Sequence, residues 1–542
     1  MRKIIFFILL IISVNLSAQC VYQWGTHASM RIERAVCKDR SGNIITAYNN
    51  GQDFIKKYTS SGVPVFTKTY YADSGIITWD CTTDNHDNIY VTGTYQGSLH
   101  VGGVTLGETY SVCYQVFVMK FSPTGMLLWV KRSTGNYGWS GDGDDAGYEV
   151  TADDAGNCYL AGMYDNKFIF GSFDLSGTPT NNFIAKLDGA TGNVLWVKAY
   201  NSDGNVLYSP KTKARKNGDF FQVANYWYTV NVDSTTSYPP FISASDNIYA
   251  AMYNTNGNLK WSIVSTGKGT IQAATMDSHE NIIITGIMTD SLAFGTHKIY
   301  SLFEKGIFFA KIDTLGNVLQ LERIGSCTDI AAEVSVGKYG VDVDSLDHVY
   351  LSGRLTKDVN FNGLMTTQVA SEGNHSFVVK YDNLLTPVWY NTFETSTNSY
   401  GFNVGVVKIE HKNVFATGYF YDDIVIDSVS FNYTANTFYE YIAEMCDQNG
   451  NFEAPAGIQD NVLPKIKIYP NPATTNLYID HSSGAKYKSF EVYNSTGQLM
   501  KKMDGDQNKM DLESEKFSNG LYLLKIILND DRSEIIRFVI NN

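Results

Sequence analysis

A chain of 542 residues with 44% hydrophobic and 13% aromatic side chains can build large packed cores, which excludes a disordered or low-complexity protein. Its 42 basic and 55 acidic residues leave a formal charge of -13, which argues against nucleic acid or anionic lipid being bound through bulk electrostatics.

Residues 1–18 carry Arg2 and Lys3, an apolar run over 4–14 and then Leu16-Ser17-Ala18. That layout predicts a cleavable secretory signal and a mature chain starting near Gln19. Cys20 invites a lipoprotein reading, which Gln19 in front of it fits poorly. No later apolar run is long enough to span a bilayer as a helix.

From about Ala35 to Asn451 one unit recurs seven times, most cleanly over 152–198. Four short strands are expected in each copy, in two hairpins. First-hairpin turn markers fall at Asn43, Asn88, Asn157, Asp219, Asn281, His348 and Asn413, and second-hairpin markers at Gly62, Gly125, Gly192, Gly257, Gly316, Leu385 and Gly450. Four antiparallel strands cannot cover both of their own faces, so the units must stack, and radial stacking gives a β-propeller. The period of about 65 residues exceeds what a minimal blade needs. The excess holds LHVGGVTL (99–106), FIFGSFDL (168–175), LAFGTHKI (292–299), VNFNGLMT (359–366) and IVIDSVSF (424–431), read as an extra hairpin between the second and third strands.

With its FG pairs, the third-strand lysine, G-x-x-x-W and D-x-x-G-N-hydrophobic-Y, the unit resembles the bacterial seven-bladed propeller repeats called SBBP. LDGATGNVLW also looks like the repeat of quinoprotein dehydrogenases, but those stack their cofactor on adjacent cysteines and this chain has none. Trp129, Trp196, Trp261 and Trp389 are therefore read as packing residues. The last unit lacks a fourth strand of its own. Val21 to Gly25 fits that register, so the N-terminal segment is expected to pair antiparallel with Glu440 to Cys446 and close the ring. Cys20 and Cys446 could then form a disulfide.

The expected domains are a signal over 1–18, the propeller over 19–453, a linker over 454–465 and a small Ig-like antiparallel β-sandwich over 466–542, an all-β chain throughout. The last region resembles the type A C-terminal sorting domain of the type IX secretion system of Bacteroidota. Tyr469-Pro470-Asn471-Pro472 matches the opening motif, Gly497 lies in the central hairpin, and Gly520 and Tyr522 lie in the penultimate strand. The resemblance implies passage to the outer cell surface via the periplasm, with the type IX machinery and a surface sortase-like peptidase as partners.

Candidate chemistry is sparse. Propellers usually bind ligands on the face bearing the inter-blade loops, where Tyr137, Trp139, Trp227, Tyr238 and Tyr400 could meet a sugar ring or protein, or could simply pack their loops. Asp142, Asp144 and Asp145 could surround calcium, but an Asp/Gly loop is also an ordinary solvated turn, and Ala146 stands where a calcium loop would prefer an oxygen ligand. Neither GxSxG, HxxxH nor CxxC occurs, so no catalytic residue, metal or cofactor is assigned. A repeated charge pair is expected instead: Asp39, Asp84, Asp153, Asp277 and Asp344 open first turns in the units whose third strands carry Lys57, Lys120, Lys186, Lys311 and Lys380. The alternative is that each Asp only caps its turn. The leading functional reading is a secreted or surface-displayed, non-catalytic propeller that binds a glycan or protein. The alternatives are an extracellular polysaccharide hydrolase or lyase and a structural surface-layer component.

Overall fold

A computed structural model describes residues 21–24, 33–49, 53–60, 63–107, 113–135, 145–165, 167–175, 181–200, 208–226, 229–233, 235–239, 247–327, 333–365, 375–394, 400–408, 414–421, 423–426, 429–432 and 438–445, and in the C-terminal region 467–469, 473–480, 487–494, 498–505, 507, 509–511, 517–528 and 533–540. The chain separates into two compact units, Met1–Gln448 and Asn449–Asn542.

The first unit is a β-propeller, and its turns explain its sequence repeats. In Asp153-Asp154-Ala155-Gly156-Asn157, the Asn157 backbone N–H donates to Asp153 Oδ1 at 2.8 Å and its side-chain amide to Oδ2 at 2.9 Å, while Gly156 supplies a φ of 78°. The aspartate thus mimics the backbone of a turn, which only a short acidic side chain does well. Asp39, Asp84, Asp277 and Asp344 cap their turns in the same way. Each turn returns the chain into an antiparallel neighbour, giving for example the sheet Ala146–Ala152, Cys158–Tyr164, Asn181–Leu187, Val194–Tyr200.

The inserted hairpins do not stay with the blade whose sequence holds them. Leu99–Val101 pairs with Pro64–Ala72, the outer strand of the preceding blade; Ile169–Phe170 pairs likewise with Leu127–Thr134, Val359–Phe361 with Val318–Cys327, and Asp423–Ile426 with Pro387–Glu394. Each of these insertions therefore covers its neighbour's open edge, whereas in the fourth unit Val230–Asn231 and Ser237–Tyr238, among the described residues, pair only with each other and contact their own blade. Between the fourth and fifth units the link is continuous: Leu259–Met276 pairs with Asn247–Tyr253 at its start and with Ile282–Phe294 for the rest.

The ring closes as its sequence pattern predicts. Val21–Trp24 pairs antiparallel with Phe438–Met445, in the register Val21 to Met445 through Trp24 to Ile442. Cys20 and Cys446 lie outside the described residues. The apolar cores sit between blades rather than within them. One core joins Ile45, Ile55 and Tyr70 to Val91, Phe117 and Met119; another joins Val116 and Val118 to Leu160, Phe183 and Leu187. Phe415 from the last blade packs with Val36, Ile44 and Tyr58 of the first. Each buried aromatic or aliphatic side chain contributes about 2 kcal/mol, so adjacent blades depend on one another for stability.

In the second unit, Lys467–Tyr469, Asn476–Asp480 and Lys509–Asp511 form one antiparallel sheet. Leu499–Asp504, Tyr487–Asn494, Gly520–Leu528 and Ser533–Ile540 form another, in that order. Leu477, Ile479 and Met510 from the first share a core with Phe490, Val492, Leu524, Ile526 and Phe538 from the second.

Candidate functional site

The innermost strands meet around a cavity of about 270 Å³. Its lining includes Lys38, Glu149, Lys211, Lys213, Lys338 and Asp342. Lys38, Thr82, Lys213, Met276 and Asp342 lie within two residues of the first turns, so the cavity sits at the short-turn end of the axis.

The backbone aims these groups inward. Innermost strands are bulged between Thr78 and Asp80 and between Gly147 and Glu149. The facing positions on the second strands are Gly93 and Gly162, where a Cβ would run into the carbonyls of Ile77 and Ala146. Glycine there lets the first strand bulge, and the bulge redirects the following side chain. In the fourth unit the irregularity between Tyr208 and Lys211 does the same for a lysine.

The resulting network is dense. Glu149 Oε1 lies 3.2 Å from Lys211 Nζ and 3.6 Å from Lys338 Nζ. Lys338 also donates to the carbonyls of Trp79 (2.6 Å) and Tyr148 (3.2 Å). Tyr339 donates its hydroxyl to the same Trp79 carbonyl. Behind them Asp80 accepts the backbone N–H of Cys81 at 2.8 Å and that of Val150, in the next unit, at 2.7 Å. Lys38 pairs with Asp342 at 2.5 Å across the first and sixth units. Lys213 differs: among the described residues its ammonium makes no hydrogen bond or ion pair within 4 Å.

Burial pushes the Asp80 carboxyl up to about 6, reinforced by the Glu149 charge and opposed by Lys338, Lys213 and the Val150 N–H. Burial likewise pushes the Lys338 ammonium down to about 8, against the upward pull of Glu149 and Asp80. The 29% of the Lys338 side chain that is exposed faces this cavity. The arrangement can hold an anionic group beside Lys213.

The repeated Asp and Lys residues form a different device, between blades. Lys57 lies 2.8 Å from Asp39, Lys120 3.1 Å from Asp84 and Lys311 2.6 Å from Asp277. The expected same-blade pair is thus present in three units. Lys57 and Lys120 also donate to Pro123 and Gly189, carbonyls in the following blade's second turn. Lys186 donates to the carbonyl and hydroxyl of Thr255 in its following blade. Lys380 lies over the Tyr350 ring, and His348 takes the contact with Asp344 at 2.8 Å. Where Arg215 replaces the turn aspartate, the acid moves to Asp219, which meets Lys260 at 2.7 Å. Asp277, His279 and Asp347 cluster between two first turns, but Asp277 is held by Lys311 and Asn281, and Asp347 accepts the Ser278 N–H.

Of the aromatics singled out in the sequence, Tyr137, Trp139 and Trp227 lie outside the described residues. Tyr238 is half-buried, and its hydroxyl donates to the Ser262 carbonyl at 3.1 Å, as a loop-packing residue does. Tyr400 opens the strand Tyr400–Lys408 opposite Tyr421. Asp142 and Asp144 lie outside the described residues, and Asp145 is buried, accepting the Asp165 N–H. In the tail, Tyr469 pairs with Tyr478, Gly520 pairs with Ile540, and buried Tyr522 donates to the Ser518 carbonyl at 2.9 Å. Pro470, Asn471, Pro472 and Gly497 lie outside the described residues. The charged axial residues escaped sequence reading because they come from five separate repeats with no common motif; their one signal is a charged residue a few places before the first turn in those units.

The chain is 24% identical over 216 residues to beta-agarase A of Zobellia galactanivorans, an alignment covering 36% of this chain and 37% of that protein. The chain thus spans little more than a third of that relative's length. Among solved structures it resembles PorZ, a bacterial surface component of the type IX secretion system of Porphyromonas gingivalis, at 10% identity and a TM-score of 0.27 over 94% of this chain and 81% of the other. It also resembles the Dos1 propeller, at 10% identity and a TM-score of 0.35 over 78% and 94%. Among the described residues no helix is long and apolar enough to cross a membrane. Residues 467–541 match the secretion system C-terminal sorting domain, which marks this propeller for type IX secretion to the cell surface.

Proposed function

We propose that this is a seven-bladed propeller of SBBP-type repeats over 19–453 that follows a cleaved signal over 1–18 and acts outside the cell as a non-catalytic binding module for an acidic glycan. The linker over 454–465 then leads to an Ig-like sorting sandwich over 466–542, which engages the type IX machinery and is removed by a surface peptidase. The observation that carries the binding reading is Lys213, a half-buried ammonium lining the axial cavity that, among the described residues, makes no hydrogen bond or ion pair within 4 Å and meets Asp80 only through longer-range charge attraction. An unpaired cation in a walled site is desolvated in part, which makes a carboxylate or sulfate a favoured guest. The neighbouring acids support binding rather than chemistry. Both Asp80 oxygens are engaged by backbone N–H groups, and Glu149 is held by two lysines.

A polysaccharide hydrolase or lyase is the second reading. Asp80 near 6 and Lys338 near 8 favour it, since groups that titrate close to neutrality suit acid–base work. A screen of the secreted protein on acidic and neutral polysaccharides, with chain-length analysis of each, separates the two. Retention on acidic polymers with chain length unchanged is the outcome of a binder. Shortened chains or new unsaturated ends are the outcome of an enzyme.

A further inference from the structure

Two thiols meet beside the axis. Cys37 lies on Glu33–Lys38, the innermost strand of the first unit, and Cys81 on Gly75–Thr83, the innermost strand of the second. Their sulfurs are 3.0 Å apart, about 1 Å beyond a bonded pair. These strands share no backbone ladder; their ladder partners are Ile44–Asn49 and Ile89–Gln96, and across the gap the Thr83 hydroxyl donates to the Lys38 carbonyl at 2.7 Å. A bond between the sulfurs would therefore add a covalent tie to a seam otherwise held by packing and by hydrogen bonds such as Arg40 N–H to Asp87 and Lys57 to the Pro123 carbonyl.

We propose that Cys37 and Cys81 form a disulfide once the chain has left the cytoplasm. Disulfides persist in the compartments through which an exported chain passes, and the sorting domain marks this chain for export. The two cysteines differ in access. Cys37 is half-buried and lines the axial cavity, whereas Cys81 is 2% exposed. Burial raises the Cys81 thiol well above its ordinary value, and Cys37 and Asp80 add to that, so Cys81 is the poorer first nucleophile.

The order of events follows. The Cys37 thiolate attacks a small-molecule or protein disulfide reaching it through the cavity, and one thiol of that oxidant leaves. Cys81 then gives up its proton and attacks Cys37 Sγ, forming the Cys37–Cys81 bond and expelling the second thiol. Two protein thiols are oxidised and one oxidant disulfide is reduced to two thiols. The product ties the wall carrying Lys38 to the wall carrying Asp80 and Thr82, fixing one side of the cavity.

The test uses the full secreted chain, denatured and alkylated without reductant and then mapped by peptide mass. Cys37 and Cys81 should stay unlabelled and be recovered as one cross-linked peptide, and both should label after reduction. In Cys37→Ser the Cys81 thiol should label without reductant. A Cys37→Ser/Cys81→Ser variant should melt on the order of 5 °C below the oxidised protein and together with the reduced one. Labelling of both thiols without reductant, in secreted protein that has also been incubated with oxidised glutathione, overturns the proposal. So does a cross-link from either cysteine to another position. The labelling of the unmutated chain decides even where a variant fails to fold.

Discussion

Lys120 Nζ and Trp129 Nε1 donate to one acceptor, the carbonyl oxygen of Gly189 in the following blade, at 2.9 and 3.1 Å. The lysine also contacts Asp84 within its own blade, and Tyr90 joins Asp84 to the Gly156 carbonyl, again in the following blade. The motif is repeated one unit on: Lys186 and Trp196 converge on Thr255, and Tyr159 links Asp153 to Gly218. Residues that define the repeat in sequence are thus those that fasten each blade to the next. Their spacing reflects contacts across units more than folding within one.

Replacing Lys120 by Met leaves Asp84 buried without its ammonium, although its turn donors remain. Breaking a buried pair from one side costs about 3 kcal/mol. Lys186→Met, which removes no ion pair within 4 Å among the described residues, should cost about half of that, the loss of the ammonium's hydrogen bonds to the uncharged oxygens of Thr255. Thermal unfolding of the two variants should rank them in that order. Adding Asp84→Asn to Lys120→Met should recover part of the loss.

Asp87, Glu280 and Asp347 occupy the fourth place of their first turns at φ near 60°, where other units place Gly42, Gly156 and Gly218. Each carboxylate accepts a backbone N–H from the preceding blade's turn: Arg40, Lys216 and Ser278 respectively. Glycine at position 87 would relieve about 1 kcal/mol of left-handed strain and forfeit a charge-assisted bond of about 2 kcal/mol. Asp87→Gly should therefore destabilise modestly, and Asp87→Asn, which keeps both the acceptor and the tolerance of this conformation, should be close to neutral. Chemical denaturation of the pair checks both.

Ring closure rests on a four-residue strand. Removing 21–24 exposes the edge of Phe438–Met445 and should abolish slow hydrogen exchange along that strand, while exchange in Cys158–Tyr164, on a remote blade, changes little. Equal protection in the full and truncated chains would mean that another segment closes the ring.

Asp80 gives a pH dependence of unusual sign. Its folded pKa lies above the unfolded value, so between about pH 4 and 6 the folded state holds the extra proton and stability falls as pH rises. Asp84 and Asp277, held below the ordinary range chiefly by their turn asparagines and partner lysines against the opposing effect of burial, act oppositely and lose stability as pH falls through their own lower values. In Asp80→Asn the first component should vanish. The stability of the unmutated chain relative to this variant should decrease by on the order of 2 kcal/mol from pH 4 to 6.

The fold was legible because its signals are local and repeated. Asp153 and Asn157 write a turn within five residues, and the FG insertions recur in register. Closure by Val21–Trp24 was legible as a missing strand in the last unit. That insertions such as Leu99–Val101 extend the preceding blade was not, since pairing across a unit leaves no periodic mark. The axial group was hidden for a related reason: Lys38, Asp80, Glu149, Lys213 and Lys338 come from different repeats and share no position-specific type. The closeness of Cys37 and Cys81 depends on neighbouring strands lining one axis, which spacing alone does not encode.

The most direct test of the account is a binding titration of the secreted protein with a soluble acidic polysaccharide, such as polygalacturonate, beside Lys213→Met. Saturable, salt-sensitive binding is expected, weakened about tenfold or more by the substitution, with melting temperature and polymer length unchanged. Equal binding by the two proteins, or depolymerisation of the ligand, would contradict it.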